Sequence, residues 1–469
     1  MKTPKKDRIS YLPDELLIHI LSFLPMKEAV ATSALSKRWK KTYTWLSRLE
    51  FDAFPICHCQ KRPYLIDSYH AFEMYVDNVL KASQSQKITT FRLHFGGYCE
   101  IRYPSSCNRV CFPDMEPMRL NAWLTFPLAR AVRELDIYAR VRTPGNLPST
   151  IFVCGTLELL KLDVNLDLDV PLSVRLPNLK EFNLSLIFFP FDDSVARLVS
   201  SCPSLQRLDL YGAWLPEAPL VISSPSLHRL AIENVLEYDG RMCKVEFNVP
   251  NLEYLDHFDT CPRSYSIAHL NALVEADIEL VEGCGFDSRV VLGFVCLMSN
   301  VQHLSLRYWL VLGLHYVDAS ELNRMLPVFR NLKSLRLGCC GYYDWNKLLM
   351  GLLNCAPFLE ELTLTQGIRY VGDETDDAYM MVSDRDCQPW RRTQTVPSCL
   401  GSHFKKFVIM ECYHSELDRE IIKYFMRNSL VLEELVVVVC HPSVTQAART
   451  YYEELPRASI TCSVTVTDK

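Results

Sequence analysis

The chain has 469 residues, 49% hydrophobic and 22% charged, ordinary globular usage that excludes wholesale disorder, a fibrous protein and a membrane-embedded bundle. At about 150 residues per domain, the length predicts about three domains, or one small module joined to a long repeat array. Lys and Arg total 50 against 55 Asp and Glu, a net charge of −5, so no global positive field is available to hold a phosphate backbone or an anionic membrane.

Residues 1–8 carry the charge of a secretory n-region, but the apolar run behind them is interrupted by Asp14, Glu15 and His19, so no cleavable signal is expected. Nineteen cysteines, an odd number and scattered singly, suit a reducing intracellular compartment, cytoplasmic or nuclear. The longest later apolar runs, residues 290–298 and 435–440, fall far below the ~20 residues that cross a bilayer.

Residues 7–50 read as a compact helical block. Leu16, Leu17, Ile20, Leu21 and Leu24 form one apolar stripe of a helix begun by Pro13, with Asp14 and Glu15 in its first turn, and Pro25 ends it. A second short helix sets Ala29, Val30, Ser33 and Ala34 on one side. The basic cluster of Lys37, Arg38, Lys40 and Lys41 around Trp39 closes the block and reads first as a solvated helix end, with nuclear import or RNA contact as the rival. About forty residues cannot bury all these leucines alone, so the block calls for a partner, either the rest of the chain or another protein.

Residues 51–85 read as a weakly patterned helical linker. From there the motif Φ-x-x-Φ-x-Φ, where Φ is apolar, recurs thirteen times, from Ile88/Phe91/Leu93 and Val132/Leu135/Ile137 to Phe404/Phe407/Ile409 and Leu432/Leu435/Val437. Leu157, Leu179, Leu205, Leu227 and Leu252 are spaced by 22, 26, 22 and 25 residues, within the about 20–29 of a leucine-rich repeat. Leucine occurs 66 times, which fits a reused pattern. Asn165, Cys340, Cys412 and Cys440 stand three positions past the last Φ, where a buried polar group ties down the backbone. Helical spacing before several strands, as in Val195/Leu198/Val199 and Ile421/Ile422/Phe425/Met426, makes each repeat a strand plus a helical return. The expected fold is α/β, an N-terminal helical block followed by a curved solenoid with parallel strands on its concave face. The repeats run over 86–365, an acidic loop insertion over 366–398, and a C-terminal repeat cap over 399–465; the segment 96–120 reads as a loop.

Catalytic signatures are absent: there is no H-E-x-x-H, G-x-S-x-G or G-x-x-x-x-G-K, and Gly283 with Gly285 lacks a third glycine. Cys57, His58, Cys59, Cys107 and Cys111 near His70, His94 and Cys99 invite a zinc test, but without any C-x2-C pair a RING or ribbon site is excluded. No cofactor and no metal are called for. Asn183 begins a sequon only formally, inside an expected strand.

The residues from Arg8 through Leu12, Pro13, Asp14, Glu15, Leu16 and Leu17 to Pro25, and then 27–39, resemble a plant-type F-box almost position for position. The rest resembles plant F-box proteins with leucine-rich repeats and a C-terminal FBD region, on Trp390, Val396 to Leu400, Phe404 to Phe407 and Ile421 to Leu435. Departures are a divergent repeat near Ala276, a missing apolar residue placed at Asp256 and the weak stretch 51–85. The resemblance implies that Leu12, Pro13, Leu16, Leu17, Ile20, Leu21, Leu24, Val30, Ser33, Leu35 and Trp39 bind a Skp-type adaptor, and through it a cullin. It also implies a non-catalytic subunit of an SCF-type ubiquitin ligase whose repeats capture a protein substrate. A scaffold or small-ligand sensor that uses the concave face outside a ligase stays open beside it.

In each repeat strand the second and third Φ point inward, so the residues flanking them line the concave face. There an acidic strip, Asp256 with Glu275, Asp277 and Glu279, adjoins a basic strip of His303, Arg307 and Arg336, a candidate recognition surface for substrate. The bland alternative is that these opposite charges pair with each other across strands.

Overall fold

The computed structural model describes residues 9, 12–53, 63–95, 114–142, 147–165, 167–185, 189, 193–212, 219–234, 243–259, 263–267, 270–280, 288–315, 317–338, 345–365 and 395–468. The cysteines at 57, 59, 107 and 111, Cys340, the Gly283–Gly285 pair, Trp390 and most of the acidic insertion lie outside them. Two compact units, Met1–Leu227 and His228–Lys469, are each taken by themselves.

The first unit opens with α1 (Asp14–Leu21), α2 (Met26–Ala31) and short 3-10 turns at Thr32–Ala34 and Trp39–Trp45. Pro13 and Pro25 stand at the two N-caps, where a missing N–H costs nothing. Six parallel strands follow in sequence order, β1 (Arg48–Asp52), β2 (Thr90–Phe95), β3 (Glu134–Ala139), β4 (Leu159–Val164), β5 (Glu181–Ser185) and β6 (Arg207–Tyr211). β7 (Leu220–Ser223) lies beyond them. Helices α3 (Pro63–Ala82), α4 (Pro117–Leu128) and α5 (Ser194–Ser200) are return segments. The register stacks Leu49, Phe91, Leu135, Leu160, Phe182 and Leu208 in one row and Phe51, Leu93, Ile137, Leu162, Leu184 and Leu210 in the next, all buried. Each such side chain contributes about 1.5–3 kcal/mol through burial, and only the neighbouring strand's row makes that burial complete.

The second unit repeats the arrangement. β8 (Arg229–Asn234), β10 (Tyr254–Asp259), β12 (Glu275–Leu280), β13 (His303–Leu306), β14 (Ser334–Leu337), β15 (Glu361–Leu364), β16 (Lys406–Cys412), β17 (Glu434–Val439) and β18 (Ser463–Asp468) run parallel and pair in that order. β9 (Cys243–Asn248) pairs separately with β11 (Arg263–Ile267). Its helices are α6 (Ser288–Cys296), α7 (Tyr308–His315), α8 (Ala319–Met325), α9 (Trp345–Cys355), α10 (Ser398–Ser402), α11 (Glu416–Asn428) and α12 (Pro442–Glu453). α11 carries a capping box, in which Ser415 Oγ accepts from the Asp418 N–H and the Asp418 carboxylate from the Ser415 N–H.

All thirteen Φ-x-x-Φ-x-Φ segments coincide with strands of these two parallel arrays. Four features differ from the sequence reading. β1 lies where the helical block was expected to pass into a helical linker, and β18 follows the last repeat that periodicity picked out. Residues 117–120, expected in a loop, open α4. The non-apolar Φ position of the β10 repeat is His257 and not Asp256: His257 is buried against Phe247, Tyr265 and Phe294, with its Nε2 3.1 Å from the Tyr265 hydroxyl.

Asn165 does what its position requires. Its side-chain oxygen accepts from the Val141 N–H (2.7 Å) and its amide donates to the Val141 carbonyl (2.9 Å), satisfying the backbone just past β3. Cys412 is fully buried, and its Sγ accepts from the His414 N–H at 3.4 Å. Asn165→Ala leaves both backbone groups of Val141 without these partners and is expected to lower stability by about 2 kcal/mol in urea unfolding. A loss under about 0.5 kcal/mol would show that the turn does not depend on this side chain.

Candidate functional site

Two surfaces stand out, one on the helical block and one on the open face of the second unit's sheet. On the block, α1 is divided lengthwise. Leu17 and Leu21 are buried with Met26, Ala29 and Trp39, while Leu16, Ile20 and Leu24 are exposed and Pro13 lies beside them. Phe23 (74% exposed), Leu35 (69%) and Ile9 (56%) are further exposed apolar side chains of the block. Leu12, Val30 and Ser33 are half-buried at its margin. Phe23 and Ile9 are absent from the sequence-based set, although Phe23 follows Ile20 at the helical interval of three.

Leu17, Leu21 and Trp39, expected to touch a partner, instead form the interior that holds the block's shape. Arg38, expected on a solvated helix end, reaches back to the start of α1. Its Nη2 lies 2.6 Å from Asp14 Oδ1, its Nε donates to the same oxygen at 3.0 Å, and Nη2 also donates to the Leu12 carbonyl. The cation thus fixes the acidic first turn of α1 and the strand of chain leading into it. As the Asp14 side chain is 71% exposed, the pair is worth at most about 1 kcal/mol, more a matter of orientation than of stability.

On the sheet, the register sets Glu275 beside His303, Asp256 beside Asp277, and Ser305 beside Arg336. The acidic and basic strips do not remain apart. Arg307 donates from Nε and Nη2 to Asp277 (2.8 and 2.9 Å) and from Nη2 to Asp256 (3.2 Å), crossing two strands. The hydrogen bond to Asp277 and the charge of Asp256 hold its guanidinium well above its ordinary pKa. Arg336 is exposed and makes no ion pair among the described residues, as do Glu275 and His303. The pairing alternative therefore holds for Asp256, Asp277 and Arg307.

Glu279 is not on the open face. The last three residues of β12 are all buried because α7 begins directly after β13 and folds over the strand end, breaking the alternation. Its carboxylate accepts from the Trp309 N–H (2.7 Å) and the Leu310 N–H (3.3 Å), capping the first turn of α7. Burial pushes this carboxyl up to about 7, against the pull of the two N–H donors and Arg307. Gly338 completes the junction: a Cβ there would sit 2.3 Å from the Tyr308 nitrogen, so only glycine lets β14 pass. Arg307 and the half-buried rings of Tyr308 and Trp309, 5.1 Å apart and edge-on, are thereby held in one arrangement.

Among the described residues no group of three His, Cys, Asp or Glu is placed to hold a metal. Cys154, Cys202, Cys296, Cys355, Cys399, Cys412, Cys440 and Cys462 are free thiols, with burial pushing Cys202 and Cys412 up to about 12. No described helix is long and apolar enough to cross a membrane.

Comparison with known proteins covers both surfaces. Residues 9–45 match the F-box domain family, 120–273 match a family described as FBD-associated F-box protein At5g56370, LRR repeats, and 392–437 match the FBD family. The chain is similar to F-box/LRR-repeat protein At3g59190 of Arabidopsis thaliana, at 31% identity over 77% of this chain and 93% of that protein. It is also similar to two others from the same plant. FBD-associated F-box protein At3g52670 is 29% identical over 92% of this chain and 88% of its own length, and F-box/FBD/LRR-repeat protein At4g26340 is 29% identical over 91% of each.

The Glu279 environment sets a pH dependence. Its folded pKa, about 7, lies above the ordinary 4.5, so the folded state binds this proton more tightly. Stability from this group is full below the ordinary value and is lost as pH rises to about 7, a change of about 3 kcal/mol. Glu279→Gln keeps an oxygen for the two N–H groups and removes the ionisation. Urea unfolding from about pH 5 to about pH 8 is expected to show wild type losing about 3 kcal/mol more than the variant. Parallel losses in the two proteins would refute the assignment.

Proposed function

The chain belongs to the F-box/FBD/LRR-repeat family, and we propose that it is the substrate-recognition subunit of an SCF-type (Skp–cullin–F-box) ubiquitin ligase. The observation that carries this reading is the exposed apolar face of the helical block, within the residues that match the F-box domain. A face of this kind costs solubility unless a partner covers it. A Skp-type adaptor is the partner assigned here, meeting Leu12, Pro13, Leu16, Ile20, Phe23, Leu24, Val30, Ser33 and Leu35, with Leu17, Leu21 and Trp39 as the frame behind them.

The division of labour follows the chain: residues 7–50 dock the adaptor, the repeats over 86–365 hold substrate, and 399–465 close the array as an FBD-type cap. The open face around Asp256, Asp277 and Arg307 is the substrate surface, flanked by Glu275, His303 and Arg336, with Glu279 as a positioning residue beneath α7. The chain contributes position and no reacting group. Adaptor and cullin bring a charged ubiquitin-conjugating enzyme beside the held substrate, which raises the effective concentration of a substrate lysine. The free thiols suit an intracellular setting, cytoplasmic or nuclear.

The test is titration calorimetry of the full chain with a panel of Skp-type adaptors. Phe23→Ala and Leu16→Ala each remove an exposed apolar side chain without touching the interior, and each is expected to weaken binding by about 1–2 kcal/mol, roughly five- to thirty-fold. Circular dichroism melting should leave both variants at the wild-type midpoint. A folded wild type that bound no adaptor of the panel would end the ligase reading and turn attention to the repeat face as a scaffold or sensor.

A further inference from the structure

The residues preceding β15, β16 and β17 are each tied to the residue preceding the strand before by a backbone hydrogen bond. Glu360 N–H donates to the Lys333 carbonyl, Lys405 N–H to Glu360 and Glu433 N–H to Lys405, at 2.8, 2.8 and 2.7 Å. Lys333, Glu360, Lys405 and Glu433 therefore lie side by side at the amino ends of β14 to β17, with charges that alternate in sign. Lys405 and Glu360 pair within the chain at 3.0 Å, whereas Lys333 and Glu433, at the two ends and both exposed, make no ion pair among the described residues.

The turn just before the strand changes character from β15 onward, while the turn before β14 keeps the ordinary residue. Asn178 and Ser204 occupy it in the first unit, and Asn251 before β10 and Asn331 before β14 in the second. Ahead of β15 and β18 that position carries Phe358 and Ile460, which are 47% and 98% exposed, whereas ahead of β17 it is the half-buried Val431, with Leu430, 60% exposed, one residue earlier. Phe358 lies edge-on to His403, which precedes β16, at 5.1 Å. Exposed apolar side chains thus stand in the turns beside an alternating row of charges, with Phe358 against His403 next to its centre.

We propose that two copies of this chain associate along this amino-terminal edge of the sheet, about a two-fold axis passing between β15 and β16. A two-fold contact uses the same patch twice, so the patch must complement its own reversal. The row does: reversed, it sets Lys333 against Glu433 of the partner subunit and Glu360 against Lys405 of the partner subunit. Phe358 and His403 lie next to the axis, so the two copies of this ring pair meet there, and the Leu430 turn falls opposite the Asn331 turn of the other copy. Stable interfaces bury about 800 Å² on each side, and a patch four strands wide is narrower, so the association is expected in the micromolar range and to weaken with salt.

Sedimentation equilibrium of the full chain over about 1–100 µM reads this directly, with mass rising from one copy to two. Lys333→Glu puts like charges together across the axis and is expected to weaken dimerisation at least about ten-fold, or 1.4 kcal/mol. Lys333→Glu with Glu433→Lys restores the match and is expected to recover wild-type association. Within one chain these positions are three strands, about 14 Å, apart, beyond the screening length at physiological salt, so rescue must act between copies. Self-association through the exposed face of α1 would not respond to either change. A wild type that stays monomeric, a Lys333→Glu variant that dimerises as before, or a double variant that fails to recover would each overturn the proposal.

Discussion

Everything in this molecule depends on one constraint: a single parallel strand cannot bury its apolar side chains, and only the strand beside it completes the burial. Leu135 and Ile137 are out of water because Phe91 and Leu93 lie on one side in register and Leu160 and Leu162 on the other. The same dependence runs through the second unit, where Leu335 and Leu337 sit between Leu304 and Leu306 and Leu362 and Leu364. Stability is therefore a property of neighbours, approximately a sum of contacts between adjacent repeats. The inward rows are committed to this task, which leaves the opposite face and the turns free to vary.

What varies on the open face is charge, and it is organised by the same register. Arg92 lies between Glu50 and Asp136 on its two flanking strands, as Arg307 reaches over Asp277 to Asp256. Half-exposed pairs of this sort add little to stability, because solvent screens them and ordering two side chains costs entropy. Their physical effect is to fix the direction of each charged group in advance of any encounter. At Arg307 this goes further than elsewhere, since Glu279, Gly338 and the first turn of α7 hold the backbone beneath it. A surface whose groups are already ordered loses less entropy when a partner binds, and that is the sense in which the Arg307 region suits recognition.

The repeat positions were legible because burial imposes a fixed spacing, and the thirteen segments read from apolar residues alone fall on strands. The spacing rule loses its force where another element intrudes. Glu279 occupies an alternate position of β12 and reads as outward, yet α7 covers the strand end and turns the residue into a buried cap; nothing local to β12 signals this. β1 is short, follows a helical block and precedes a helix, so Leu49 and Phe51 offer too few alternations to distinguish a strand. In α1 and the turn that follows it, Leu16, Leu17, Ile20, Leu21 and Leu24 fall on one broad stripe, but periodicity does not tell which half of a broad stripe faces inward. Leu17 and Leu21 are buried where α1 packs against the turn Trp39–Trp45, which comes from later in the block. The exposed remainder, with Phe23, emerged only from packing.

The two ends of this architecture handle exposed apolar surface in different ways. In the helical block, exposure is the residue of a partition: a module of about forty residues has too little interior to bury both halves of α1, so one half stays in solvent whatever the packing. Along the amino ends of the later strands no such shortage exists, since the rows behind Phe358, Leu430 and Ile460 are already complete with Leu359, Leu432 and Cys462 buried. Asparagine or serine fits that turn in other repeats of the same chain, so neither backbone geometry nor core volume demands an apolar residue there. An apolar side chain that folding does not require, set beside a charge row that complements its own reversal, is better explained by contact with another surface than by the stability of the chain that carries it.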